Sequence, residues 1–182
     1  EKTLAPNDDV NRSQSSNDTF PTAMHISIYK LVVEKLIPEL DCLSLELSEK
    51  VKKFKNIIKV GRTHCMDAVP VTLGQEFSAY LDQIETNIKI LKKSLVFVSG
   101  LSIGGTAVGT GLNTPKGYDK EVVSQINKIL KLNFKVAKNK FAGISSHDVL
   151  VNLHASFKNI AVSLMKIGND IRMLSSGPRS GI

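Results

Sequence analysis

The stretch of residues 150–174, L-V-N-L-H-A-S-F-K-N-I-A-V-S-L-M-K-I-G-N-D-I-R-M-L, carries the strongest structural signal in the chain. Its large apolar residues recur at alternating steps of three and four, at Leu150, Leu153, Phe157, Ile160, Leu164, Ile167, Ile171 and Leu174. Such spacing places them along one side of an α-helix, and here it is kept over about three heptads. We therefore predict a long helix that packs within a bundle.

Two further segments carry helical signals. In residues 77–98 the apolar positions follow nearly the same steps, and Thr72 with Gln75 forms a capping-box signature at the start. A shorter helix is predicted for about residues 118–130, where Pro115 lies close to the start.

The N-terminal part of the chain shows another long helical pattern. Its apolar stripe runs from about Pro21 to Phe54; Pro21 suits the first turn of a helix, and Pro38 is expected to cause a kink. Extended segments are few. Only residues 57–60 and 68–72 favour strands, and because they flank G-R-T-H they suggest a short hairpin.

Together these patterns predict an all-α fold built as a bundle of long helices. Burial of apolar surface contributes ~25 cal/mol per Å2 to the free energy of folding. A seam of large apolar side chains left exposed to solvent would lose many kcal/mol, which is too much for a protein of ordinary stability. Three or four helices cannot cover such seams among themselves, so we expect neighbouring subunits to cover them.

The composition is that of an ordinary globular protein, with 182 residues, 42% apolar content and a net charge of +7. No apolar run approaches the ~20 residues that span a bilayer, so no membrane partner is expected. The lysines lie on helix faces without the interleaved aromatic residues of single-strand binders, so no nucleic acid is expected either. Cys42 and Cys65 lack metal-ligand spacing, which predicts reduced thiols and no metal.

His64 is the leading candidate for a catalytic residue. It lies in G-R-T-H-C-M-D, a polar segment predicted to form a loop between Val60 and Val69. Loops on a rigid scaffold often carry function, and a histidine titrates in the range that suits proton transfer near neutral pH. A lone histidine is also common as a structural residue, so both roles stay open. The other histidines, expected to pack or to lie on the surface, are His25, His147 and His154.

Ser15, Ser16 and Asn17 belong to the run S-Q-S-S-N-D-T-F-P, which precedes a predicted helix. Serine, asparagine, aspartate and threonine cap helices, but this run holds more of them than one cap needs. The surplus hydroxyl and amide groups, near the positive end of a helix dipole, would suit a carboxylate.

The segment from Gly104 to Asn113 is rich in glycine. It fails the dinucleotide-binding pattern because no strand is predicted before it, so no nucleotide cofactor is expected. Its glycines suggest a tight backbone turn, with Thr106, Thr110 and Asn113 available as donors.

Four segments carry a specific resemblance: P-N-D-D-V-N-R-S-Q-S-S-N-D-T-F-P-T-A-M-H-I, K-V-G-R-T-H-C-M-D-A-V-P-V-T-L-G-Q-E-F, G-G-T-A-V-G-T-G-L-N-T and S-L-M-K-I-G-N-D-I-R-M-L-S-S-G-P-R-S-G. In order and spacing they resemble class II fumarate hydratase, of the fumarase/aspartase superfamily, across essentially the whole chain. The resemblance implies an all-helical homotetramer in which three subunits build each active site, with no metal or organic cofactor.

The implied reaction is reversible anti elimination of water from L-malate to give fumarate, through a carbanion stabilised as an aci-carboxylate. By the same resemblance, the residues that bind the substrate carboxylates are Ser15, Ser16, Asn17 and Thr63. His64 handles the proton at the leaving hydroxyl or the attacking water. The implied partners are a small dicarboxylate and copies of this chain, in the cytoplasm or, in a eukaryote, in the mitochondrial matrix.

The chain departs from the family in two respects. Ala5 stands where the family usually has a histidine before P-N-D, which leaves only Asn7 and Asp8 for part of a second dicarboxylate site. The family's upstream S-G-T segment and its downstream loop with a catalytic serine, lysine and asparagine are not among the 182 residues. We therefore expect residues 1–182 to be a central helical domain that does not turn over malate alone.

Two other interpretations stay open. Aspartate ammonia-lyase looks similar in all four segments, but it typically carries Gln at the position of His64 and Ser-Thr-Asn at residues 15–17. A non-catalytic helical oligomerisation module would need these side chains for stability alone.

Overall fold

The computed structural model describes residues 3–178, and the side chain of Asn7 lies outside that description. The helices are α1 (Ser16–Leu31), α2 (Ile37–Phe54), α3 (Leu73–Val98), α4 (Tyr118–Leu130), α5 (Lys140–Ser145) and α6 (Asp148–Leu174). The strands are β1 (Ile58–Thr63), β2 (Met66–Thr72), β3 (Gly100–Leu101) and β4 (Lys135–Val136). The fold is all-α with long helices, as the sequence predicts. Within the described range, every helix is too short or too polar to cross a membrane.

The elements form two compact units. The first consists of the chain up to Glu34 together with Lys93–Leu153, and the second of Lys35–Lys92 together with the chain from His154. The first unit therefore contains α1, α4, α5 and the β3–β4 pair. The second contains α2 and the β1–β2 hairpin, and α3 and α6 contribute to both.

The core of the first unit lies between α1, α4 and the β3–β4 pair. Its buried apolar residues are Leu101, Ile103, Val123 and Phe134. The Phe134 ring packs against Tyr29, with 4.9 Å between ring centroids. β3 and β4 pair in parallel, so a strand does precede the Gly104–Asn113 segment. The sequence prediction missed this strand because two residues carry no periodicity.

In the second unit, α3 packs against α6 along the predicted apolar stripes. The buried residues of these stripes include Ile84, Ile88, Leu91, Ile160 and Ile167. Two polar contacts join the helices: Asn87 Nδ2 donates to Ser163 Oγ at 2.9 Å, and the Tyr80 hydroxyl donates to Asp170 at 3.1 Å. The segment predicted for residues 150–174 is thus part of a single helix. Leu153, Ile160 and Ile167 of the predicted seam are buried, whereas Leu164 and Ile171 are exposed.

The predicted capping box at the start of α3 is confirmed. The Thr72 N–H donates to Gln75 Oε1 at 2.9 Å, and the Gln75 N–H donates to Thr72 Oγ1 at 3.1 Å. Each residue thereby satisfies a backbone donor that has no partner within the helix.

The helical pattern predicted for residues 21–54 divides into α1 and α2. α1 begins at Ser16, so Pro21 lies beyond the first turn, contrary to the prediction. Between the helices, Val32–Leu36 form a π turn just before Pro38. Proline has no N–H for the carbonyl four residues earlier, and its ring crowds that carbonyl, so a wider turn accommodates it. A π turn thus lies next to Pro38, where the sequence predicted a kink.

Gly74, in the first turn of α3, lies against the end of α2. A Cβ at this position would be 2.8 Å from both Val51 O and Lys55 Cα, which are backbone atoms and cannot move aside alone. We expect Gly74→Ala to lower the free energy of unfolding by about 2 kcal/mol, measured by denaturant unfolding.

Gly168→Ala in α6 is the matched control. Apart from the adjacent residues and the backbone of α6 itself, no atom of the described residues lies within 4 Å of the added methyl. Helix propensity alone should therefore raise the free energy of unfolding by up to about 1 kcal/mol. Equal effects of the two substitutions would contradict the close approach of α2 and α3.

Candidate functional site

The start of α1 holds the first group of candidate site residues. Ser15 is the N-cap, and its hydroxyl oxygen accepts the Asn17 N–H at 3.2 Å. Asp18 completes a capping box, because its Oδ1 accepts the Ser15 N–H at 2.9 Å. Ser16 and Asn17 are exposed, so a ligand can reach their side chains at the positive end of α1.

Residues 104–113 form a loop beside this cap. Gly104, Gly109 and Gly111 have positive φ values, a conformation that glycine adopts at little cost. The loop turns back on itself, because the N–H groups of Gly109 and Gly111 both donate to Gly105 O, at 2.9 and 3.0 Å. The tight turn predicted from the glycines is therefore confirmed.

Thr106 is not available to a ligand, contrary to the sequence prediction. It is buried, its N–H donates to Asp18 Oδ2 at 2.9 Å, and its hydroxyl donates to Gly105 O at 2.7 Å. Thr110 and Asn113 are exposed, and a side chain that donates a hydrogen bond to a ligand must be exposed. The glycine pattern could not reveal the difference, because the acceptor for the Thr106 N–H is distant in sequence.

Three groups of hydrogen bonds hold the cap segment and the loop together. The bonds run from Ser13 Oγ to Asn113 O at 3.1 Å, from Asn17 Nδ2 to Ala107 O at 2.8 Å, and from the Gly104 and Thr106 N–H groups to Asp18 Oδ2 at 3.0 and 2.9 Å. The two segments are therefore bonded at several points along their length and form one wall.

A cleft of about 1160 Å3 lies along this wall, lined by Ser15, Asn113 and Arg12 among others. A second cavity of about 430 Å3 lies at Ser15 and Ser16. Arg12 was not among the residues predicted for the site, although a guanidinium beside a run of hydroxyl groups is a usable signal for carboxylate binding. Arg12 shares the cleft with Asp8, whose main-chain oxygen accepts from Arg12 Nε.

The predicted second dicarboxylate site falls on the π turn Pro6–Val10. Asp8 is exposed and lines the same cleft as Ser15. The Ala5 N–H donates to Asp9 Oδ2 at 3.0 Å, so the backbone before the turn is fixed. The side chain of Asn7 lies outside the described part of the structure. The second site stays a prediction.

Thr63 and His64 lie at the tip of the β1–β2 hairpin. Thr63 pairs with Met66, so the loop consists of only His64 and Cys65, with φ values of 55° and 60°. Left-handed conformations at both central positions are typical of a type I′ turn, which non-glycine residues adopt under strain. The loop is shorter than predicted, because residues 61–63 and 66–69 belong to the strands. His64 is exposed.

Gly61 allows the hairpin strands to approach closely below the turn. The pairing is irregular between Val60 and Arg62, and a Cβ at Gly61 would lie 2.6 Å from Val69 O. Arg62 Nε lies 3.6 Å from Asp67 Oδ1 across the hairpin. A bulge, a close backbone contact and an ion pair thus support the strands that present His64.

The structure places the candidate residues in two groups. Ser15, Ser16 and Asn17 lie at the α1 cap in the first unit, whereas Thr63 and His64 lie on the hairpin in the second. The resemblance implies that residues of three subunits meet in each active site, and this stays a prediction.

The other histidines lie in buried or surface positions, as predicted. His25 is buried, its Nδ1 donates to Val98 O at 2.9 Å, and burial lowers the pKa of its ring below the ordinary value. His147 and His154 are exposed. Among residues 3–178, no three His, Cys, Asp or Glu side chains converge as a metal site requires.

The whole chain, residues 1–182, matches the family model described as "Lyase". It is 59% identical over 179 residues to the class II fumarate hydratase of Haemophilus influenzae, and the alignment covers 98% of this chain and 39% of that protein. It is 52% identical over 181 residues to the mitochondrial fumarate hydratase of Dictyostelium discoideum, and that alignment covers 100% of this chain and 37% of that protein. The chain thus spans less than half the length of these curated relatives.

A solved structure is also similar. The crystal structure of class II fumarase from Schistosoma mansoni matches with a TM-score of 0.92 and 43% identity, over 98% of this chain and 40% of that chain. The similarity therefore holds for the backbone as well as for the sequence.

The strain in the hairpin turn can be tested without changing His64. Cys65→Gly relieves the left-handed conformation at φ 60°, so we expect it to raise the free energy of unfolding by about 0.5–1 kcal/mol. Cys65→Val is the opposite control and should lower it, because a β-branched residue tolerates this conformation poorly. Thermal or urea unfolding provides the measurement, and equal stability of all three proteins would refute the strained turn.

Proposed function

This chain belongs to the lyase family, and we propose that the protein is a fumarate hydratase, which interconverts L-malate and fumarate by reversible anti elimination of water. The observation that carries the proposal is the high identity to class II fumarate hydratases along nearly the whole chain. The α1 cap and the hairpin tip supply side chains that suit this reaction: hydroxyl and amide donors for carboxylates, and an exposed histidine for proton transfer.

In this proposal the α1 cap and Thr63 bind the substrate carboxylates. Ser15 Oγ accepts the Asn17 N–H, so the hydroxyl hydrogen of Ser15 remains for a carboxylate oxygen. The Asn17 amide donates one N–H to Ala107 O and keeps its second N–H for the substrate. The helix dipole of α1 favours negative charge at the same place.

His64 carries the proton at the leaving hydroxyl or the attacking water. The two-residue turn fixes the backbone of His64 while leaving its side chain exposed. Elimination builds negative charge on a carbanion that is delocalised into the adjacent carboxylate. Donors already aimed at that carboxylate stabilise the charge as it develops, which is usually the largest contribution of such a site.

We also propose that residues 1–182 form the central helical domain of a homotetramer. In one chain, α6 leaves several large apolar side chains exposed: Val162, Leu164, Met165, Ile171 and Met173. Leu164 and Ile171 belong to the seam that the sequence analysis assigned to neighbouring subunits. Exposed apolar surface on this scale supports assembly with copies of the same chain.

The enzyme is proposed to act in the cytoplasm or, in a eukaryote, in the mitochondrial matrix. The relative from Dictyostelium discoideum is named as mitochondrial and that from Haemophilus influenzae is bacterial.

The activity can be tested by absorbance of fumarate after the full-length protein is mixed with L-malate. Fumarate is expected from the full-length protein and not from the 182-residue chain at equal concentration, because the resemblance places other catalytic groups outside it. Fumarate produced from L-aspartate instead would favour an aspartate ammonia-lyase. Inactivity toward both substrates would favour the non-catalytic oligomerisation module.

The role of His64 is tested by His64→Asn in the full-length enzyme. Loss of general acid–base catalysis should lower kcat by about 10²–10⁴-fold, while sedimentation shows an unchanged oligomer. His154→Asn makes the same exchange at an exposed position of α6 and should leave kcat unchanged. Equal kcat values for both variants and the parent would remove His64 from the mechanism.

A further inference from the structure

The Asp18 carboxylate is completely buried, with 0% exposure, although it carries no role in the proposed chemistry. Its hydrogen-bond donors are backbone N–H groups: Ser15 on Oδ1 at 2.9 Å, and Gly104 and Thr106 on Oδ2 at 3.0 and 2.9 Å. Each donor bonds to one oxygen only, so both oxygens are needed.

A capping box alone does not require this arrangement. It needs one oxygen of Asp18 for the N–H of the N-cap, Ser15, and that role could be filled by a carboxylate that faces solvent. The second oxygen instead accepts from residues 86 and 88 positions further along the chain. One side chain therefore fixes the backbone of the substrate-binding cap and the backbone of the glycine-rich loop at the same time.

The loop is strained at the point where Asp18 holds it. Thr106 has φ 56° and is buried, and a β-branched residue in this conformation is a true outlier. Such strain persists only where surrounding contacts impose it. One residue further on, Ala107 O accepts the Asn17 amide at 2.8 Å. Displacement of Thr106 would therefore move the acceptor that orients Asn17.

We propose that Asp18 is a positioning residue for substrate binding: its buried carboxylate holds Ser15 and Asn17 in the geometry that receives a dicarboxylate. This inference rests on the proposed function. Asp18 acts through its neighbours and does not touch the substrate. Displacement by about 1 Å of groups that orient a substrate can cost ~10²-fold in rate, so the effect should be measurable.

Asp18→Asn in the full-length enzyme is the test. The variant keeps the size of the side chain but turns one oxygen into an NH2 group, which cannot accept, so either Ser15 or the loop loses its acceptor. We expect KM for L-malate and Ki for succinate, a non-reactive dicarboxylate, to rise about tenfold, with a smaller change in kcat. A merely destabilised enzyme would lose active protein and hence Vmax, without any change in KM or Ki.

Asp119→Asn is the matched control in the same unit. Asp119 Oδ1 accepts the Lys120 N–H at 2.9 Å and Oδ2 accepts Lys140 Nζ at 2.6 Å, and the Lys140 hydrogen bond holds the pKa of this carboxyl below its usual range. This substitution also weakens a part-buried carboxylate, but the hydrogen bonds that it disturbs belong to α4 and α5. The Asp119 Cβ, which lies against Gly104 of the loop, is the same in both side chains. KM and Ki should stay at the wild-type values.

The outcomes separate the two proposals. A wild-type enzyme without activity on malate would overturn the proposed function and this inference with it. An active wild type with unchanged KM and Ki in Asp18→Asn would overturn the inference alone. If Asp18→Asn does not fold, Asp18→Glu keeps the charge and both acceptor oxygens but adds one methylene, so the carboxylate can no longer reach the N–H groups of Ser15, Gly104 and Thr106 in their present positions. It should raise Ki for succinate at least threefold, and an unchanged Ki would then overturn the inference.

Discussion

The structure of the first unit depends on the burial of one carboxylate. A charge without compensating donors costs several kcal/mol to remove from water, and hydrogen bonds to the charged group offset that penalty. For Asp18 the donors are the N–H groups of Ser15, Gly104 and Thr106. Burial is therefore favourable only when the start of α1 and the glycine-rich loop both have their native backbone conformation. The two segments form together, although they are far apart along the chain.

Polar contacts have a comparable role between α3 and α6. An apolar seam of constant period allows two helices to shift by one turn with little change in buried area. The Tyr80–Asp170 and Asn87–Ser163 hydrogen bonds would both break in such a shift, so they select one register. Burial, together with the charge of Asp170, raises the pKa of Tyr80, and the phenol therefore remains a hydrogen-bond donor throughout the physiological pH range.

Sequence reasoning succeeded where neighbours in the chain decide the structure. The Thr72–Gln75 capping box and the limits of α4 depend on residues within a few positions, and both were predicted. The sequence predictions were wrong where the local structure depends on a residue that is distant along the chain. α1 begins earlier than predicted, so Pro21 lies beyond its first turn. The residues that precede Pro21 in the helix include Asp18, which contacts the glycine-rich loop. The burial of Thr106 has the same origin, and the β3–β4 pair joins residues more than thirty positions apart. For the candidate site, residue types and the exposed position of His64 could be predicted, whereas the meeting of the two groups in an assembly of several copies stays a proposal.

The hairpin turn bears on how this sequence can change over generations. Two adjacent non-glycine residues in left-handed conformations make the turn less stable than a glycine pair would be. Glycine or asparagine at position 64 would relieve part of this strain, so the histidine that we propose for proton transfer is held at a cost in stability. A lineage that kept the helices but lost the reaction would be free to exchange residue 64 for glycine or asparagine.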